Sequence, residues 1–158
     1  MAFQELRAWI QDFTKLALIG VGNPLRRDDQ VGLEIVHQFN SRVQDPRVLI
    51  IESESVPENY LDTIVTFTPS HILILDAALI NLSPGATQFV ESIPEIPTSI
   101  STHTLPLYLF TSYLQRVLDT KIGFLLIQPK DITFGEGLSP EVQETVPLII
   151  TTLLDLLE

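Results

Sequence analysis

The stretch that most constrains this chain is residues 16–32, LALIGVGNPLRRDDQVG. It opens on an apolar run, Leu16-Ala17-Leu18-Ile19, and turns through Gly20-Val21-Gly22-Asn23-Pro24. Two adjacent acids, Asp28 and Asp29, precede Val31, Ile35 and Val36, which recur at helical spacing. The order is strand, glycine-rich turn, acidic loop, helix. Glycines allow a backbone to approach a ligand closely, and carboxylates add hard oxygen donors. In open α/β sheets, ligands collect outside the carboxyl ends of strands, where this loop falls.

The rest of the chain repeats the alternation. Residues 1–14 carry apolar side chains at helical spacing, with Trp9 expected in the core. Val48-Leu49-Ile50-Ile51 reads as a second strand ending at Glu52, and Pro57 opens a helix through Ile64. His71-Ile72-Leu73-Ile74-Leu75 reads as a third strand closing on Asp76-Ala77. Residues 87–90 form a candidate edge strand, 92–101 an irregular Pro-rich stretch, 105–118 a helix with an early Pro106, and 122–128 a last strand. An irregular loop follows through Gly135 and Gly137; Ser139-Pro140-Glu141 caps a final helix to about Leu157, which Pro147 should kink or divide. Apolar strands separated by helices imply right-handed crossovers and a parallel sheet covered on both faces. The expected architecture is α/β: one domain over residues 1–158, three-layer αβα, with a mostly parallel twisted sheet of about five strands between helices.

Composition bounds the function. With 158 residues, 45% hydrophobic and 18% charged, the chain can bury a core and is not disordered. Its net charge of −11, with no basic run, argues against nucleic acid and anionic membranes as partners. No cysteine is present, so disulfides and thiol catalysis are excluded and any metal would be held by His and carboxylates. Glu5, Arg7 and Asp12 interrupt what would be the core of a signal peptide, and no apolar run approaches the roughly 20 residues that span a bilayer. A cytoplasmic monomer is the expectation.

Asp29 after the first strand, Asp76 closing the third and His103 before the penultimate helix can meet at one edge of a parallel sheet. Two carboxylates and an imidazole suit Ni²⁺, Zn²⁺ or a similar ion and leave room for water or substrate. Competing readings stay open. Asp28, and less so Asp29, could be the solvated N-terminus of a helix. Asp76 could be a paired boundary carboxylate, and His103 a capping neighbour. His37 and His71 read as surface or capping residues. The turn lacks the third glycine of G-x-G-x-x-G, and its acids would repel a pyrophosphate, even with Glu52 placed like a ribose-binding acid. A phospho-receiver would use an acidic pair, an Asp after strand three and a Lys after strand five. Asp28/Asp29, Asp76 and Lys130 imitate that order, but Gly22 to Arg27 intervene and His103 has no task.

Residues 22–32 resemble the G-N-x-L-x-x-D-[DE]-x-x-G signature of the nickel–iron hydrogenase maturation endopeptidases. Leu73-Ile74-Leu75-Asp76-Ala77 is similar to their second motif, and Ser101-Thr102-His103-Thr104-Leu105-Pro106-Leu107 to their histidine motif. Ser55-Val56-Pro57-Glu58-Asn59 and Ile127-Gln128-Pro129 resemble the branch acting on hydrogenases of the formate-hydrogenlyase type. The resemblance implies removal of a C-terminal extension from the hydrogenase large-subunit precursor after nickel insertion. It also implies that Asp29, Asp76 and His103 contact nickel carried by that precursor and take part in catalysis. A binding protein that checks nickel insertion without cutting is the non-enzymatic alternative. Two departures stand out: Glu52-Ser53-Glu54-Ser55 replaces the family's usual Asp-Gly-Gly-[ST], and Gln30 replaces a usual Gly. Neither touches the three ligands; both bear on the choice of substrate.

Overall fold

The computed structural model describes residues 2–91 and 104–158. Helix α1 (Ala2–Ile10) leads into β1 (Leu16–Val21), a 3-10 turn at Arg27–Gln30 and α2 (Val31–Asn40). Strand β2 (Val48–Glu54) is followed by a second 3-10 turn (Pro57–Tyr60), α3 (Leu61–Phe67) and β3 (His71–Ala77). Then come β4 (Thr87–Val90), α4 (Thr104–Val117), β5 (Lys121–Ile127) and α5 (Pro140–Leu156). The five strands form one sheet in the order β2-β1-β3-β5-β4, parallel except for the antiparallel edge strand β4. This is the expected α/β architecture.

Side chains alternate across β1 and β3 and feed two cores. Leu16, Leu18, Leu73 and Leu75 pack with α1, α2 and α5 on one face. Ala17, Ile19, Ile72 and Ile74 pack with α3 and α4 on the other. Both central strands are buried along their whole length, as a strand covered on both faces must be. Each fully buried Leu or Ile contributes about 1.5–3 kcal/mol, so the two strands anchor the domain.

Three local expectations change. Pro147 does not divide α5, which is one helix from Pro140 to Leu156. It lies on the exposed face, as does Gln143 one turn earlier, so the carbonyl that loses its helical donor is accessible to water. Ser139 sits at the α5 N-cap without capping it through its side chain. His71 is neither surface nor cap: it is 2% exposed. Its Nε2 lies 3.1 Å from the Trp9 carbonyl and 3.3 Å from Asp12, and its Nδ1 lies 2.9 Å from Ser70 Oγ. The ring of Trp9, buried as expected, packs nearly perpendicular to that of His71, with centroids 4.9 Å apart. This cluster ties α1 to the start of β3.

Burial pushes the His71 imidazole below its ordinary value of 6.5, opposed in part by the Asp12 carboxylate. The folded state therefore binds this proton less readily than the unfolded chain. The associated stability is intact above pH 6.5 and declines as pH falls through 6.5 towards the lower folded value. The urea midpoint of the wild type is expected to drop between pH 7.5 and 5.5, and that drop to shrink in His71→Gln.

Candidate functional site

The strand order reverses at β1: the chain moves to β2 on one side and then back across to β3 on the other. A crevice opens at such a reversal, beyond the carboxyl ends of the two strands. The loop bearing Asp29 leaves β1 there, and Asp76 is the penultimate residue of β3. Gly32 makes the close packing possible. A Cβ at Gly32 would overlap the Leu75 carbonyl, immediately before Asp76, and approach the Val21 carbonyl. A Cβ at Gly22 would collide with the carbonyl of Asp29. These glycines thus serve the close approach of one protein segment to another.

Asp29 and Asp76 are both buried. The Asn23 amide donates to Asp29 Oδ2 at 3.1 Å, folding the turn back onto the carboxylate. Asn23 Oδ1 in turn accepts from the Leu25 amide at 2.9 Å. His103, the third residue of the expected set, lies outside the described residues. Among the described residues no group of three or more His, Asp or Glu is arranged to hold a metal ion.

Asp28 is not a solvated helix end. It is buried, and its carboxylate accepts four hydrogen bonds from the loop after β5. Oδ2 takes the Lys130 amide at 2.9 Å, the Asp131 amide at 3.0 Å and the Ser139 hydroxyl at 2.8 Å. Oδ1 takes the Ser139 amide at 2.7 Å. The adjacent acids therefore divide their tasks: Asp28 fastens two loops together, and Asp29 holds the turn after β1 through the Asn23 amide. Sequence alone gives no signal for this division, because the donors lie more than 100 residues away.

Lys130 does not complete a receiver-type site. Its Nζ pairs with Glu141 at 2.7 Å, and that carboxylate holds the ammonium above its ordinary 10.5. Its amide belongs to the Asp28 clamp.

Glu52, Ser53 and Glu54 lie within β2 rather than after it. The register with β1 slips between Gly20 and Val21, where Gly20 pairs Glu52 and Val21 pairs Glu54. Ser53 is the extra residue, turned inward with its hydroxyl donating to the Gly20 carbonyl at 3.0 Å. Glu54 adopts φ 51, a left-handed conformation at the position of the family's second glycine. That region costs a non-glycine residue roughly 1–2 kcal/mol. Glu52 pairs with the exposed His37 at 3.1 Å. Glu52, Glu54, Glu34 and His37 line a 270 Å³ groove with Pro24, Gln30 and Leu33, beside the Asp29 loop. A larger cavity of 920 Å³ lies at the other end of the sheet, between α1, β4 and the start of β5, and carries none of the candidate acids.

Comparison with known proteins places the chain in a family. The family model described as hydrogenase maturation protease (HycI) matches residues 33–156, a span that starts just after the acidic loop. A putative hydrogenase maturation protease of Methanocaldococcus jannaschii is 31% identical over 156 residues, 94% of this chain and 92% of that protein. The hydrogenase 3 maturation protease of Escherichia coli K12 is 29% identical over 141 residues, 86% of each. Among solved structures, the [NiFe] hydrogenase maturation protease HycI from Thermococcus kodakarensis superposes with a TM-score of 0.89 at 25% identity, covering 97% of this chain and 98% of that one. A family model over most of the chain, and relatives named as maturation proteases, mark the chain as a peptidase. The chain belongs to the hydrogenase maturation protease family.

Replacing Asp28 leaves four part-buried donors without their acceptor, each at a cost of up to about 1 kcal/mol. Asp28→Ala is expected to lower unfolding free energy by about 3 kcal/mol, read from urea denaturation at pH 7. An unchanged midpoint would show that the clamp contributes nothing.

Proposed function

We propose that this protein removes a C-terminal extension from the nickel-loaded precursor of a [NiFe]-hydrogenase large subunit, recognising the nickel that the precursor already holds. The observation that carries the reading is the placement of two buried carboxylates, Asp29 and Asp76, over the β1–β3 reversal of a maturation-protease chain. Such carboxylates are withdrawn from bulk water, so they would attract a cation more strongly than exposed ones. His103 supplies the third contact in this reading.

The nickel is part of the substrate. Docked against Asp29, Asp76 and His103, it fixes the scissile peptide by proximity. It can also polarise the carbonyl or lower the pKa of a bound water. Asp29 or Asp76 alternatively serves as general base, taking a proton from water as the water oxygen attacks the carbonyl carbon. The proton then passes to the departing amine as the C–N bond breaks. A carboxylate that holds the metal and one that moves the proton need not be the same.

The similarity to the hydrogenase 3 maturation protease of Escherichia coli supports a substrate of the formate-hydrogenlyase type. The altered β2 segment, with Glu52 and Glu54 on the groove, is where this chain's substrate preference would differ from that of relatives carrying glycines. No helix among the described residues is long and apolar enough to cross a membrane, which is compatible with work in the cytoplasm.

Intact-mass analysis of a large-subunit precursor, with and without nickel, tests the reading. Loss of a C-terminal peptide from the loaded form alone is expected. Asp29→Asn, Asp76→Asn and His103→Ala are each expected to slow that loss by about 10²-fold or more. Equal cutting of nickel-free precursor would eliminate metal recognition. Stable capture of the loaded precursor at unchanged mass would identify a non-cleaving checkpoint protein.

A further inference from the structure

The loop after β5 presents Phe134 to solvent at 79% exposure, the most exposed large apolar side chain among the described residues. Leu25, four residues before Asp29, is 51% exposed. The two are neighbours by backbone pairing. The Gly135 amide donates to the Leu25 carbonyl at 2.8 Å, and the Arg27 amide to the Gly135 carbonyl at 3.1 Å, in an isolated parallel bridge. A Cβ at Gly135 would press on the Arg27 guanidinium, so that glycine lets Arg27 lie across the bridge.

The segment has little freedom to fold Phe134 inward. Besides the Asp28 clamp, the Arg26 Nε donates to the Ile132 carbonyl at 3.0 Å and the Asp28 amide to the Asp131 carbonyl at 3.0 Å. Thr133 is fastened to Asp131 through both its amide and its hydroxyl, at 2.9 and 2.6 Å. The neighbouring cations are engaged: Arg27 faces Asp131 at 3.6 Å and Lys130 pairs with Glu141. What remains for a partner is an apolar knob on a rigid base.

Aromatic anchors carry a large share of interface energy. A pre-formed anchor also loses less entropy on binding. Two further exposed apolar side chains, Leu79 and Leu82, follow β3 at the same end of the sheet. The knob is continuous with the catalytic loop, since Leu25 and Asp29 share residues 22–30.

We propose that Leu25 and Phe134 form the docking anchor for the protein substrate, seating an apolar patch of the folded precursor beside its C-terminal extension. This rests on the peptidase reading above. The anchor would act on binding and leave the chemistry alone.

Steady-state processing of nickel-loaded precursor should show KM raised at least tenfold in Phe134→Ser and Leu25→Ser, with kcat within about twofold of wild type. Phe134→Leu should restore most of the KM, and Leu148→Ser, an exposed apolar side chain on α5, should change neither constant. Thermal unfolding should be the same in all four variants. An unchanged KM in Phe134→Ser overturns the anchor while leaving the peptidase intact, as does a fall in kcat without a change in KM. If wild type captures the precursor without cutting it and Phe134→Ser does not capture it, the anchor stands and the peptidase reading fails. No capture and no cutting by wild type would overturn both. If sedimentation shows a wild-type dimer that Phe134→Ser dissociates without affecting KM, the knob is a contact between copies, and the proposal falls.

Discussion

Four donors converging on the buried carboxylate of Asp28 hold the site end of this molecule together. The donors come from a loop that has no regular structure to satisfy its own amides. Without that carboxylate, the part-buried donors of Lys130, Asp131 and Ser139 would lose their protein partner. With it, the loop after β5 becomes a wall for the loop after β1. The bridge between Arg26 and Gly135 extends the same contact outward. The geometry at Asp29 depends on this, because Asp29 is held on a loop whose adjacent residue is the clamp.

The sheet supplies the other half of the arrangement. Two central strands buried on both faces leave their carboxyl ends little room to shift. Gly32 then lets α2 approach close against Leu75, so the acid after β1 and the acid closing β3 are held by packed backbone. Peptide hydrolysis needs groups held at close to their working positions before substrate arrives. Here rigid elements hold Asp29 and Asp76, the groups proposed for that role.

The groove on the β2 side lies beside the Asp29 loop. A bulge at Ser53 and a left-handed Glu54 turn charged side chains toward the Asp29 loop. Backbone in that region is costly for a residue with a Cβ. On the other side, Leu25 and Phe134 present an apolar surface. The two flanks of the crevice thus differ in character, one acidic and one apolar.

The order of elements, the two-sided burial of β1 and β3, Asp29 in the loop after β1 and Asp76 at the end of β3 were legible in the sequence, because continuous apolar runs and punctuating Gly and Pro are local signals. The family resemblance was legible for the same reason: its motifs are short and contiguous. What only the tertiary structure decided were partnerships across long stretches of chain. Asp28 became a clamp because Ser139 and Lys130 fold over it. His71 became a buried tie because α1 lies across the start of β3. Ser53 became a bulge because β2 slips against β1, and Pro147 left α5 whole because it falls on the water-facing side. Each outcome depends on which distant atom reaches a polar group first, and neither spacing nor composition encodes that.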